Sequence, residues 1–488
     1  MNNFLGKIKF CVRGFLLKIA RDLGNNVSKG PVVRESKSLF SKVIKIPVFI
    51  PLIFTVAAVY CMIVIGFGIS YKALFATAIF TTLSVIFFIW QICTLEKMMT
   101  KDNDAVVLMC LLFIIAMLMF QILKEYSSPF LSPVATFSLM AAMLLSLRVG
   151  ILYAVCLSLF IAILNNMRFD IFLVMLCGGI IAVANAQNIR RRSDFINIGA
   201  KIAVANIVIV TMFYFFDSYS SLQFKYNLFY SALNGTLAIV LLLVFMPLLE
   251  KVFSRTTNIK LIELSDFNNP LLKKLMLEAP GTYHHSIMTA DIAEQAANAI
   301  NDNSLLARVG AYYHDIGKLK NSKYFIENQT PEYNPHDDIA PVMSGLILIA
   351  HVKDGVAFAR KYNVDNEIIN IIEQHHGTTP MYVFYHRALV AMSEDVNIED
   401  FRYPGPKPNT KVAAIVMMAD SCEAACRSIE DPTAARIKDT VEKIINNKFI
   451  DGQFSKCPVT LKDLETIRDS IISTITGIYH ARIEYKSR

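Results

Sequence analysis

Histidine is absent from the first 283 residues of this 488-residue chain, tryptophan occurs once, and no two cysteines form a CxxC pair. Each absence excludes something. Without CxxC pairs there is no zinc-ribbon or thioredoxin-like chemistry. The nine cysteines (Cys11, Cys61, Cys93, Cys110, Cys156, Cys177, Cys422, Cys426 and Cys457) sit mostly in apolar runs, as small core residues do in a reducing compartment. Cys422 and Cys426 share a helix face, but two thiols alone make a poor metal site. No run alternates apolar and polar residues as a half-buried strand does, so an all-α chain is expected. Charge is scarce too: 18% of residues are charged and 54% hydrophobic, too apolar for an ordinary soluble protein.

What is present is strongly segregated. Apolar runs near twenty residues long repeat between residues 46 and 248, each the length a helix needs to cross about 30 Å of hydrocarbon. Eight spans are expected, at 46–68, 72–94, 105–123, 128–147, 149–165, 169–187, 196–216 and 226–248. Residues 1–45 carry ten Lys or Arg against Asp22 and Glu35, a basic segment of the kind retained on the cytoplasmic side. No short apolar run with a small-residue cleavage site precedes the spans, so a cleavable signal is not expected. Within the basic segment, 4–20 alternates apolar and basic residues at helical spacing, suiting either the inner leaflet or packing on the bundle. With the N-terminus inside, Lys97, Lys101, Arg148 and Arg190–Arg192 all fall in inner connections, which places the C-terminal module in the cytoplasm. The protein is thus expected in the plasma or inner membrane, multi-pass.

Ionisable groups deep in the spans are few. Lys201 is the clearest, near enough to an end to reach polar surroundings. The buried Asp, Glu or His relay of a pump is missing, so the membrane part reads as an anchor or sensor. Gly178, Gly179, Asn206, Ser231 and Asn234 mark helix contacts or a pocket, helix contacts being the simpler reading.

From residue 249 to 488 the composition is that of a soluble domain. Helices are expected near 283–300, 303–318, 338–363, 365–376, 381–394, 409–428, 433–447 and 459–480, with Asp365 as a cap, Gly377 as a stop and Pro432 just inside a start. Asn321–Asp337 reads as a long functional connection, and Arg402–Thr410 as a loop. Eight of the nine histidines fall here, between His284 and His386; His480 is the ninth. His314 and Asp315 are adjacent ligands at a helix end, with His285 one helix earlier and Asp420 much later. Two His and two Asp hold one metal; His351, His375 and His376 suffice for a second beside it. Two ions about 3.5–4 Å apart are a known device for phosphoester hydrolysis. Nitrogen and oxygen donors without Cys suit Mn, Fe or Zn better than Mg or Ca. His284, next to a ligand, is expected to point elsewhere, as packing or as support for a ligand; His336 and His386 have no assigned role.

The segments Leu261–Asp266, Ala279-Pro-Gly-Thr-Tyr-His-His-Ser286, Arg308-Val-Gly-Ala-Tyr-Tyr-His-Asp-Ile-Gly-Lys318, Tyr324–Gln329, Asn334–Asp337, His351–Gly355 and Gln374–Thr378 resemble the HD-domain phosphohydrolase superfamily. The closer resemblance is to its membrane-bound branch, the seven-transmembrane receptor HD hydrolases, over residues 125–480; Ser128–Pro133 and Arg190–Ser193 resemble its membrane region. That resemblance implies a polytopic helical membrane domain at 46–248 and a cytosolic HD domain at 249–488. It implies cleavage of cyclic di-AMP to pApA with two iron or manganese ions on His285, His314, Asp315, His351, His375, His376 and Asp420. Asp315 and His314 are then the catalytic centre. Lys318 neutralises a substrate phosphate or forms a surface salt bridge, and Tyr283 and Asn334 are candidates for the pocket lining. Two alternatives stay open: cleavage of another cyclic dinucleotide such as cyclic di-GMP, and nucleotide binding without turnover. The expected partners are a cyclic dinucleotide and the bilayer, with a homo-oligomer left open and no DNA or RNA polymer. Family members usually carry a large outer domain after their first span; here only a few residues around Gly68–Tyr71 separate the first two, so that sensor is expected to be missing.

Overall fold

The computed structural model describes residues 103–480 apart from 187–188, 190, 330–332 and 393–395. The basic segment 1–45, its helix at 4–20, the spans at 46–68 and 72–94 and the connection between them lie outside the described residues. Among the described residues there is no strand; every regular element is helical.

Six apolar helices come first: α1 (Asn103–Tyr126), α2 (Val134–Leu144), α3 (Leu147–Ile163), α4 (Phe169–Ala184), α5 (Arg192–Phe215) and α6 (Ser221–Phe253). They correspond one for one to the six later expected spans, while the total of eight rests on the sequence alone. By length and composition α1, α5 and α6 can cross a membrane; the other three are shorter. The expected span at 128–147 is broken. Ser128 caps a 3-10 turn, Pro129–Leu131, and Pro133 then stands at the N-cap of an α2 of 11 residues. Proline lacks the N–H that a continuous helix needs there and clashes with the preceding turn, so the chain restarts.

Small residues set the helix contacts. A Cβ placed on Gly235 of α6 would lie 2.2 Å from the Gly199 carbonyl oxygen of α5, and one on Gly179 would lie 2.8 Å from the Ala154 Cβ. Asn206 Nδ2 donates to Asn234 Oδ1 at 3.4 Å, and Asn234 Nδ2 donates to the Ser132 carbonyl at 2.9 Å. Buried amides thus tie α5, α6 and the turn before α2, and the helix-contact reading holds. Lys201 donates to Asn185 Oδ1 at 2.7 Å, at the C-terminal end of α4. One buried carboxylate was not expected: Asp170, 7% exposed in the first turn of α4, pairs with Arg168 and accepts from the Tyr219 hydroxyl. It is the second residue of the span expected at 169–187, beside the Met167–Arg168 connection.

Past α6 come α7 (Asn258–Leu264), α8 (Pro270–Glu278), α9 (Pro280–Ala299), α10 (Ser304–Tyr313), α11 (Pro341–Lys361), α12 (Asn366–Gln374), α13 (Tyr382–Met392), α14 (Lys411–Arg427), α15 (Ala434–Ile450) and α16 (Leu461–His480). The short α7 and α8 were not expected. They begin at Thr257 and Asn269, whose side chains accept from Lys260 N and Leu271 N. The core of this half is built around α9 and α14. Ala290, Ala293, Ala296 and Ala297 let α9 pack closely, and α14 buries an unbroken run from Val412 to Asp420. α11 is apolar enough to resemble a span, yet it packs among these elements and carries the buried His351. Among its described residues, the connection at 321–337 includes short 3-10 turns, the end of Ile316–Tyr324, Ile326–Asn328 and Pro335–Asp337.

At the α5–α6 crossing, Gly235→Ala forces a methyl into the facing backbone and should cost about 1–3 kcal/mol. Thermal unfolding of the detergent-purified chain checks this; an unchanged midpoint would contradict so close a crossing.

Candidate metal centre

The paired histidine–aspartate motif does not lie within a helix. α10 stops at Tyr313, His314 is its C-cap, and a 3-10 segment begins at Ile316. The turn is tight because it meets another backbone: a Cβ on Gly317 would lie 1.8 Å from the His351 carbonyl oxygen and 2.5 Å from Gly355 N. Only glycine lets the motif reach α11, and that approach brings His351 to Asp315. Gly377 follows His375–His376 with φ +53, a left-handed conformation that turns the chain away after α12.

Two groups of side chains result, His285, His314, Asp315 and Asp420, and Asp315, His351, His375 and His376, each able to hold a metal ion. Asp315 belongs to both. Its Oδ2 lies 3.2 Å from His314 Nε2 and 3.6 Å from His285 Nε2. Its Oδ1 lies 3.4 Å from His351 Nε2 and 3.7 Å from His375 Nε2. Asp420 Oδ1 completes the first group, 3.1 Å from His285 Nε2 and 3.7 Å from His314 Nε2. His376 stands at the rim, its side chain 20% exposed, with Nδ1 at 3.8 Å from Asp420 Oδ2.

Hydrogen bonds on the far side of each ring set the tautomers. His314 Nδ1 and His375 Nδ1 each donate at 2.7 Å to carbonyl oxygens, of Ala311 and Ile372. His351 Nδ1 donates to the Leu348 carbonyl, and His285 Nδ1 pairs with the Glu423 carboxylate. A carbonyl can only accept, so in the neutral rings Nε2 carries the lone pair and faces inward. His351 Nε2 and His375 Nε2 then oppose each other at 3.3 Å as two acceptors. His314 Nε2 and both oxygens of Asp315 are buried without a hydrogen-bond partner; Lys318 Nζ is 2.7 Å from Oδ2, outside hydrogen-bonding geometry. The opposed lone pairs of His351 and His375 are what a cation satisfies, and the nitrogen and oxygen donors fit a transition metal.

Electrostatics follow the same division. Burial alone would raise the Asp315 carboxyl, but His314 and Lys318 hold it well below the usual range; His285 and His314 do the same for Asp420. Burial lowers His351 to about 3, and burial with the neighbouring His375 pushes His376 down, so both rings are neutral. The His314 imidazole is lifted to about 10: burial opposes protonation, and Asp315 with Asp420 overcomes it.

Lys318 is no surface salt bridge. Its side chain is 12% exposed, and its ammonium lies between Asp315 Oδ2 and Glu327 Oε1, at 2.7 and 2.8 Å, and over the Phe325 ring. Tyr283 and Asn334 join neither group. Tyr283 packs edge-on against Phe267, and Asn334 caps the turn at Pro335–Asp337. His284 and His386 are exposed; His336 is buried and bonded to the Tyr324 carbonyl. Sequence reasoning missed Glu423, Glu327 and Tyr403, whose ring stacks on His376 at 4.2 Å. Glu423 stands one helical turn after Asp420, at i+3, and that spacing was the available signal.

The description "7TM receptor with intracellular HD hydrolase" matches residues 71–257, and the HD domain matches 282–425, which contains both groups. The chain belongs to this family. The 7TM receptor HD hydrolases to which it is similar include cyclic-di-AMP phosphodiesterase PgpH of Bacillus subtilis (strain 168), 39% identical over 75% of this chain and 53% of that protein. PgpH of Listeria monocytogenes serotype 1/2a (strain 10403S) is 38% identical over 80% of this chain and 55% of its own length. The chain spans about half the length of these curated relatives. A solved L. monocytogenes PgpH HD domain in complex with cyclic-di-AMP is 49% identical, covering 44% of this chain and 100% of its own, with TM-score 0.42. The chain is therefore a 7TM-HD membrane protein whose HD domain holds a His/Asp cluster able to bind metal.

Gly317→Ala should cost about 3 kcal/mol, the upper end for an inserted methyl group, because it meets backbone rather than a movable side chain. A thermal melt of the purified chain tests it, and a midpoint equal to wild type would refute the close contact between the motif and α11.

Proposed function

We propose that this chain is a membrane-anchored, metal-dependent phosphodiesterase that hydrolyses cyclic di-AMP to pApA. The observation that carries the reading is Asp315, whose two oxygens face two separate sets of imidazoles. The substrate comes from the relatives, both named cyclic-di-AMP phosphodiesterases. His285, His314, Asp315 and Asp420 would hold one ion, and Asp315, His351, His375 and His376 the other. Manganese or iron suits these donors. Such a pair, when bound, supplies Lewis acidity for a phosphodiester and acidifies a water.

The protein's own contribution is order. Backbone carbonyls hold the imidazoles of His314, His351 and His375 with Nε2 inward. Glu423 does this for His285, and Lys318, anchored by Glu327, holds Asp315 ionised and in place. Burial keeps bulk water from these groups, and His376, the most exposed of the seven, stands at the rim. The division of the chain at 1–45, 46–248 and 249–488 belongs to the same reading, with the HD half and the basic segment in the cytoplasm. Lys97, Lys101 and Arg148 support that orientation. Lipid bilayer is the expected surrounding, and self-association is compatible with the architecture.

Purified chain supplied with Mn is expected to turn cyclic di-AMP into pApA, and Asp315→Ala to abolish this while the melting curve stays cooperative. No conversion by wild type with several divalent metals, or preferential cleavage of cyclic di-GMP, would overturn the assignment. Glu423→Gln should weaken metal binding about 10–100-fold, the usual effect of removing a carboxylate that orients a ligating imidazole. A metal titration measures it, and unaltered affinity would show that Glu423 does not orient His285.

A further inference from the structure

A second polar cluster lies among the apolar helices, at the N-terminal end of α6. There a cavity of about 480 Å³ opens among the first turn before α2, the start of α4, the end of α5 and the start of α6. Its volume is that of a small-molecule site. Phe130, Phe169, Phe213 and Tyr219 provide aromatic walls. Phe213 packs edge-on to Phe169 at 6.3 Å, and Tyr219 follows at 6.4 Å from Phe213.

The polar groups are unevenly used. Asp170 is saturated: Arg168 Nε donates to its Oδ1 at 3.2 Å, Arg168 Nη2 to its Oδ2, and the Tyr219 hydroxyl to Oδ2 at 2.5 Å. The Tyr226 hydroxyl is committed to the Ser127 carbonyl at 3.0 Å. Arg168, its side chain 44% exposed, keeps Nη1 outside these bonds, and its guanidinium is steadied over the Phe130 ring at 5.7 Å. Asn227, 8% exposed as a residue, lines the cavity, and its amide opens onto that space. An amide turned to a cavity bonds whatever fills it, water or a ligand. Aromatic walls with a preset guanidinium and an open amide form a donor-rich end on an apolar chamber, which suits an acceptor of negative charge.

We propose that this cavity binds a small ligand joining an anionic group, phosphate or carboxylate, to an apolar body. Arg168 and Asn227 take the anionic end, and Phe130, Phe169 and Phe213 take the body. A lipid headgroup and a free solute both offer this chemistry. α6, which contributes Asn227, runs 33 residues from the cavity to the HD half, about 50 Å at helical rise.

The test uses the full chain in phosphatidylcholine nanodiscs, titrated calorimetrically with phenyl phosphate. Saturable binding of one molecule per chain is expected, weakened at least tenfold by Arg168→Gln and by Asn227→Leu, both with wild-type phosphodiesterase rate. Because Arg168 also holds Asp170, Asn227→Leu decides if the Arg168 variant fails to fold. Repeating the titration in discs containing phosphatidylglycerol separates the sources. Loss of the phenyl phosphate signal there assigns the site to a lipid headgroup, and a retained signal assigns it to a free solute. Absence of saturable binding in phosphatidylcholine discs, or binding untouched by Asn227→Leu, overturns the proposal.

Discussion

A single carboxylate shared between two sets of imidazoles makes demands on nearly every element of the HD half. Asp315 must be buried, ionised and oriented so that Oδ1 and Oδ2 face opposite ways. Burying a charge without partners is expensive, so Lys318 stands beside it and Glu327 beside Lys318. The histidines must present lone pairs inward, so their outer nitrogens are committed to carbonyls or to Glu423. The motif must approach α11 within a distance only glycine permits, which Gly317 supplies. Each requirement is local, and together they gather nitrogen and oxygen ligands around one carboxylate.

Much of this was legible in the sequence because the chemistry uses rare residues. His285, His314, Asp315, His351, His375, His376 and Asp420 stand out against a chain with no other histidine before His284, and the structure gathers all seven. The supporting residues were not legible, for a physical reason. Glu423, Glu327 and Tyr403 are ordinary residue types whose importance lies in what they touch, 138 residues away in sequence for Glu423 and His285. The same holds for Lys318: its position after the motif was visible, its burial between two carboxylates was not. Tyr283 and Asn334, chosen by their place in motifs, stand outside both groups, where Tyr283 packs on Phe267 and Asn334 caps a turn.

In the membrane half, hydropathy located six described helices but not their breaks. Pro129 and Pro133 divide one apolar run that reads as continuous, since composition does not register a missing N–H. The burial of Asp170 is a product of the fold, which brings Arg168 and Tyr219 onto it. The two halves therefore differ in legibility as they differ in chemistry: a His/Asp cluster announces itself, and a cavity lined by aromatic residues does not.

The central claim is that Asp315 is shared by two metal ions. Anomalous scattering from crystals of the manganese-loaded chain tests it most directly. Two peaks about 3.5–4 Å apart, one beside each oxygen of Asp315, are predicted, the first near His285, His314 and Asp420 and the second near His351, His375 and His376. A single peak, or two peaks of which only one touches Asp315, would contradict the account.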